Sequence, residues 1–115
     1  MKAQLQKIIT VTSEYKRMVC RGLYGKVVVV GFPATNFEFK SKAIWINESY
    51  DKAVRKGILD ELKNHGLDSN FGGRFVLQEI GWHEVDSCEV AYYEAARKAT
   101  EEILFKSNLI DEFSH

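Results

Sequence analysis

Four consecutive valines, Val27 to Val30, closed by Gly31-Phe32-Pro33, constrain this chain more than any other feature. β-branched side chains are stiff at χ1 and pack well on a pleated surface, so the run favours a strand over a helix. We read Lys26 to Phe32 as that strand, and a segment so short and so apolar fits one buried on both faces. The chain has the material to surround it: 45% of its 115 residues are hydrophobic and 12% aromatic, enough for a real core and for one domain over residues 1–115.

The flanking segments supply the rest of a sheet and its cover. After a turn at Ala34-Thr35-Asn36, Phe37 to Ile46 alternates, with Phe37, Phe39, Ala43 and Trp45 on one side and Glu38, Lys40 and Lys42 on the other. That period of two predicts a half-exposed strand in a hairpin with the valine strand. Ser49 then offers an N-cap, and Tyr50, Val54, Ile58 and Leu62 recur at helical spacing up to Asn64-His65-Gly66, with Gly66 as a left-handed cap. Gly57 inside that helix predicts close packing against a neighbour, because glycine there costs about 1 kcal/mol relative to alanine. Arg74 to Glu84 alternates again, with Val76, Gln78, Ile80 and Trp82 on one side and Phe75, Leu77 and Glu79 on the other. Asp86-Ser87-Cys88-Glu89 has the spacing of a capping box. It opens a helix to about Lys106, striped by Cys88, Tyr92, Ala95, Ala96, Ala99 and Ile103. The first 21 residues carry both patterns, and Ile8 to Thr12 tips them to a further strand; residues 108–115 form a tail that docks or frays. The expected fold is α+β: a three- to four-stranded, mostly antiparallel sheet with two amphipathic helices on one face.

Net charge is zero, so it implies no strong nucleic-acid or membrane field. The total hides a division: residues 1–57 carry +7 and residues 58–115 carry −7. The first half could form a basic face from Lys16, Arg17, Arg21, Lys26, Lys40 and Lys42, suited to a phosphate backbone or an acidic protein. The polar N-terminus lacks the apolar core of a secretory signal, and four valines fall far short of the roughly 20 residues that span a bilayer. Cys20 and Cys88 are therefore expected as free thiols, and the chain as cytoplasmic, with no membrane partner.

No constellation of residues compels a catalytic reading. His83, Glu84, Asp86 and Cys88 fall within six positions, yet a zinc site needs about four converging ligands and no second ligand pair is evident. Cys88 lies in an acidic stretch, which disfavours a thiolate, and Cys20 has basic neighbours but no nearby histidine. The glycines at 22 and 25 and at 72 and 73 precede strands, whereas a phosphate-cradling loop follows a strand and opens a helix. They read as turns. Phe37, Phe39, Trp45 and Trp82 suggest a core face, with a stacking platform for single-stranded nucleic acid as the alternative. We assign no catalytic residue, no cofactor and no metal.

Two resemblances bear on function. Gly22-Leu23-Tyr24 and Val29-Val30-Gly31, with Arg55 and Glu94 on later helices, resemble the GIY-YIG nucleases. The gap between the tripeptides is too short, however, and Val29 replaces the second tyrosine. The opening Met1-Lys2-Ala3-Gln4-Leu5-Gln6-Lys7-Ile8-Ile9, the length and the motif-poor body resemble the small early proteins of T-even phages that modify the host valyl-tRNA synthetase. This second resemblance implies a non-catalytic protein that binds that synthetase in the host cytoplasm and alters its stability and its complex with tRNA. The alternative is a nucleic-acid-binding domain, a degenerate nuclease. For either partner the expected contact residues are Arg17, Arg21, Tyr24, Lys40, Lys42 and Arg74, because arginine and tyrosine lead interface hot spots.

Overall fold

The computed structural model describes residues 3–17, 23–46, 48–67, 70–83 and 87–111. Its elements run β1 (Ile9–Arg17), β2 (Leu23–Phe32), β3 (Phe37–Ser41), α1 (Asp51–Asn64), β4 (Gly73–Gly81) and α2 (Glu89–Lys106). The four strands form one sheet in the order β1-β2-β4-β3. Pairing is antiparallel for β1 with β2 and for β2 with β4, and parallel for β3 with β4. The α+β architecture with a mostly antiparallel sheet is as the sequence predicts, and Ile9–Arg17 is indeed a strand.

The valine strand lies inside the sheet, but not in the expected hairpin. β4 inserts between β2 and β3, so that Val30 pairs with Val76 and Phe39 with Phe75. β3 is an edge strand, and α1 carries the chain from it to its parallel neighbour, as a parallel pair requires. Val27 and Val29 are wholly buried beneath the helices. On the other side Val30 is buried and Val28 half-buried between neighbouring strands, with neither α1 nor α2 over them. The strand is thus enclosed on one face and shielded by adjacent side chains on the other.

Alternation along β4 breaks where the register shifts between Val28 and Val29. Val29 pairs with Leu77 and Val28 with Glu79, leaving Gln78 as the extra residue of a bulge. Phe75 and Leu77 point to the core before it, Gln78 and Glu79 are both exposed, and Ile80 and Trp82 return to the core after it. The expected single alternation placed Ile80 with Gln78, which the bulge undoes.

The core joins Leu5, Ile9, Val11, Val27 and Val29 to Phe75 and Leu77, under Val54, Ile58 and Leu62 of α1 and Tyr92, Ala95, Ala99 and Ile103 of α2. Leu5, ahead of β1, is anchored by its N–H donating to the Gly72 carbonyl at 2.8 Å. Past α2, Leu109 and Ile110 dock against the core, while residues 112–115 lie outside the described residues. No helix among the described residues is long and apolar enough to cross a membrane.

The helix N-termini depart from their predicted caps. Tyr50 and Cys88 hold the N-cap positions without side-chain caps; Ser49 Oγ accepts from the Asp51 N–H at 3.2 Å, and Asp86 lies outside the described residues. Gly66 adopts φ +75° just beyond α1, as predicted. Gly57 also behaves as predicted: a Cβ there would lie 2.5 Å from the Tyr93 carbonyl oxygen and 3.0 Å from Ala96 Cβ. Gly57→Ala gains about 1 kcal/mol of helix propensity, against an overpacking cost of about 1–3 kcal/mol. We expect net destabilisation, seen as a lower melting temperature; a rise would show that the helices separate without loss.

Candidate functional site

Strand alternation sorts the predicted contact residues onto the two sides of the sheet. Ile9, Val11 and Ser13 of β1 point to the helices, which places Thr10, Thr12, Glu14 and Lys16 on the helix-free face. Tyr24, Lys26, Val28 and Val30 share that face on β2, as do Glu38 and Lys40 on β3 and Arg74 and Val76 on β4. Lys42 continues the β3 alternation, its N–H donating to the Leu77 carbonyl at 2.8 Å. Tyr24, Lys40, Lys42 and Arg74 therefore lie on one face. Arg17 has the opposite parity and is exposed at the end of β1. Arg21 lies outside the described residues, as do Cys20, Gly22 and Glu84.

Local chemistry on this face is mixed. Arg74 Nε stands 3.5 Å from Glu38 Oε1 across the β3–β4 pair, and both side chains are well exposed. An exposed pair at that distance contributes little to stability, so Arg74 is free to change partner. Tyr24 is held more firmly: burial, and then the Glu14 carboxylate beside it, push its hydroxyl above the ordinary value of 10.0. Its ring lies 6.0 Å from that of His83. Beside the bulge, Lys42, Ile44, Gln78, Glu79 and Ile80 line an open depression. Ile44 is 88% exposed there, and Ile46, two residues on, is also exposed.

The aromatic residues form part of the core, as expected, and not the alternative stacking platform. Phe37, Phe39, Trp45 and Trp82 all pack against the buried cluster. Trp45 meets Tyr92 edge-on at 5.0 Å, and Tyr50 lies stacked on Tyr92 at 5.4 Å, with Trp82 beside both. Their polar atoms are satisfied internally: Trp45 Nε1 donates to Asp51 Oδ1 at 2.9 Å and the Tyr92 hydroxyl to the Gly81 carbonyl at 2.7 Å. Around His83 and Cys88 the arrangement is a strand-to-helix turn. Ser87 Oγ accepts from the His83 N–H at 2.7 Å, and Cys88 is half-buried at the start of α2. The nuclease-like residues do not converge. Tyr24 is on the helix-free face, whereas Arg55 and Glu94 belong to helices on the other; Arg55 sits 5.8 Å over the Phe37 ring and Glu94 pairs with Arg97.

A second cluster lies between the helices and was missed in the sequence. Glu61 and Glu101 are buried to 0% and 1% exposure. His65 Nε2 is 2.8 Å from Glu61 Oε2 and 3.6 Å from Glu101 Oε2. Arg97 Nε donates to the other Glu61 oxygen at 3.1 Å, while its Nη1 reaches Glu94 at 3.3 Å. Burying carboxylates is costly unless cations and donors meet them, which gives these residues a common position. A signal existed: Ile58, Glu61 and His65 continue the apolar stripe of α1 at helical spacing. Nearer solvent, Tyr93 donates to Asp60 Oδ2, and Lys56 Nζ reaches the same oxygen at 3.0 Å.

No family model matches the sequence. The fold itself recurs among 59 solved chains, so it cannot by itself select a function. One of them is a crystal structure of a protein from Thermus thermophilus, with a TM-score of 0.82 and 24% identity. The match covers 92% of this chain and 17% of that one, so the chain spans about a sixth of the length of its structural neighbour. The likeness shows the fold.

Asp60 gives the clearest pH dependence. The Tyr93 hydroxyl, and after it Lys56, hold its carboxyl below the usual value of 3.8. A carboxyl lowered by folding contributes stability above its unfolded pKa and loses it as pH falls through the folded one. In Tyr93→Phe we expect the Asp60 carboxyl, followed by NMR titration, to move upward. The melting temperature should drop at neutral pH and converge with wild type in acid. An unmoved Asp60 would show that Lys56 alone sets it.

Proposed function

We propose that this chain works by binding, through the helix-free face of its sheet, and that its partner is the valyl-tRNA synthetase of an infected bacterial host. One observation carries the binding mode: Tyr24, Lys40, Lys42 and Arg74 share that face, with the exposed Ile44 beside Lys42. Arginine, tyrosine and an exposed isoleucine spread over one charged face are residue types that lead protein interfaces. The partner's identity rests on the resemblance of Met1 to Ile9 to the phage modifiers. Acting this way, the chain would shift the synthetase toward whichever state it binds more tightly, with no chemistry of its own.

A second reading is binding of nucleic acid, tRNA included. It is favoured by Lys16 and Lys26 joining Lys40, Lys42 and Arg74 on the same face, although Glu14, Glu38 and Glu79 offset part of that charge.

Titration of purified bacterial valyl-tRNA synthetase, with and without tRNA, separates the two. We expect saturable binding that survives removal of tRNA and weakens at least tenfold in the Lys40→Glu, Lys42→Glu double variant. Its melting temperature should match wild type, since exposed surface changes stay within about 0.5 kcal/mol. No binding to the synthetase would contradict the proposal. Binding only to RNA, falling steeply with salt, would establish the second reading.

A further inference from the structure

We propose that Glu61, His65 and Glu101 form a binding site for one divalent metal ion of the zinc class. This site is separate from the helix-free face, and its test is independent of the synthetase reading.

The donor set suits such an ion. One imidazole nitrogen and two carboxylate oxygens match a first-row divalent metal, and the three ligand atoms lie within 4.8 Å of one another. His65, the C-cap of α1, follows Glu61 by four residues, and Glu101 comes from the facing helix, so the site is built by the α1–α2 packing. Around a tetrahedral zinc ion with bonds near 2.0–2.2 Å, neighbouring donor atoms sit about 3.3 Å apart. The distances from His65 Nε2 to the two glutamate oxygens, 2.8 and 3.6 Å, bracket that value. Small side-chain adjustments would therefore seat an ion where the imidazole and carboxylates now meet.

The ligand oxygens are also held in orientation. Arg97 binds Glu61 through Oε1, on the far side from the cluster, which leaves Oε2 directed at His65. A ligating carboxylate held by its other oxygen is what outer partners do at metal sites. Arg97 is itself fixed by Glu94 and lies 5.8 Å from the Tyr93 ring centre. Access comes from the histidine side. Both carboxylates are buried, yet the His65 side chain keeps 20% exposure, so an ion can enter at the end of α1 and retain water as a further ligand.

Calorimetric titration of the chelator-stripped chain with zinc chloride tests the site, with the cobalt(II) absorption spectrum as a second readout. We expect one ion per chain, a higher melting temperature with zinc, and cobalt bands of a four- or five-coordinate centre. His65→Ala and Glu101→Gln should each weaken binding more than tenfold, while His83→Ala leaves it unchanged. If Glu101→Gln fails to fold, His65→Ala decides, because His65 lies at the rim beyond the last turn of α1. Absence of binding by the intact chain would overturn the site. So would several weak ions per chain, or binding that survives His65→Ala.

Discussion

Helix α2 packs closely on both the sheet and α1, and its residues at those contacts are small. Ala91, Ala95, Ala96 and Ala99 are fully buried. On the sheet side, a Cβ on Gly25 would stand 2.7 Å from the Ala91 carbonyl carbon; on the α1 side Gly57 meets the Tyr93 carbonyl. Two glycines, one in a strand and one in a helix, thus let backbone approach backbone at both contacts. The close approach brings Val27 and Val29 under α2, places Tyr92 within the aromatic cluster, and sets Glu61 opposite Glu101. Dispersion contacts are individually tiny and fall off within an ångström, so this spacing decides how much the core gains from each apolar side chain.

The same packing gives the molecule two unlike sides. The aromatic residues under the helices are used internally: Tyr50, Trp82 and Tyr92 stack, Trp45 meets Tyr50 and Tyr92 edge-on, and Asp51 and Gly81 accept from Trp45 and Tyr92. The opposite side of the sheet has no helix over it and keeps its lysines, Arg74 and Ile44 exposed or half-exposed. A partner can therefore approach the sheet without disturbing the core. The cluster between the helices is a separate construction, with both glutamates buried and the His65 side chain 20% exposed.

What was legible in the sequence follows from which interactions are local. Val27 to Val30 as a strand, Tyr50 to Leu62 and Cys88 to Ile103 as helical stripes, and Gly57 as a contact point all rest on spacing within one element. The insertion of β4 between β2 and β3 does not. Phe39 with Phe75 and Val30 with Val76 are distant pairings, and the alternation of residues 37–46 is equally compatible with a hairpin. The bulge at Gln78 was hidden for a related reason, since it is defined by the partner strand. Lys40 and Lys42 fell on one face because charged residues alternate with apolar ones along β3 and just past it, and strand pairing brought Tyr24 of β2 and Arg74 of β4 to the same face, whereas Arg17 was assigned by charge without regard to parity. Glu61 and Glu101 were overlooked because glutamate on a helix is usually solvated; His65 and Arg97 meet Glu61, and His65 lies 3.6 Å from Glu101, contacts that the packing of the two helices brings about.

If the helix-free face binds and the helices support it, the two sides of the molecule should respond differently to a partner. Amide hydrogen exchange of the chain, alone and with bacterial valyl-tRNA synthetase, tests this directly. We expect added protection over residues 38–46 and 74–80, with the exchange of α1 and α2 unchanged. Protection confined to α1 and α2, or none anywhere, would contradict it.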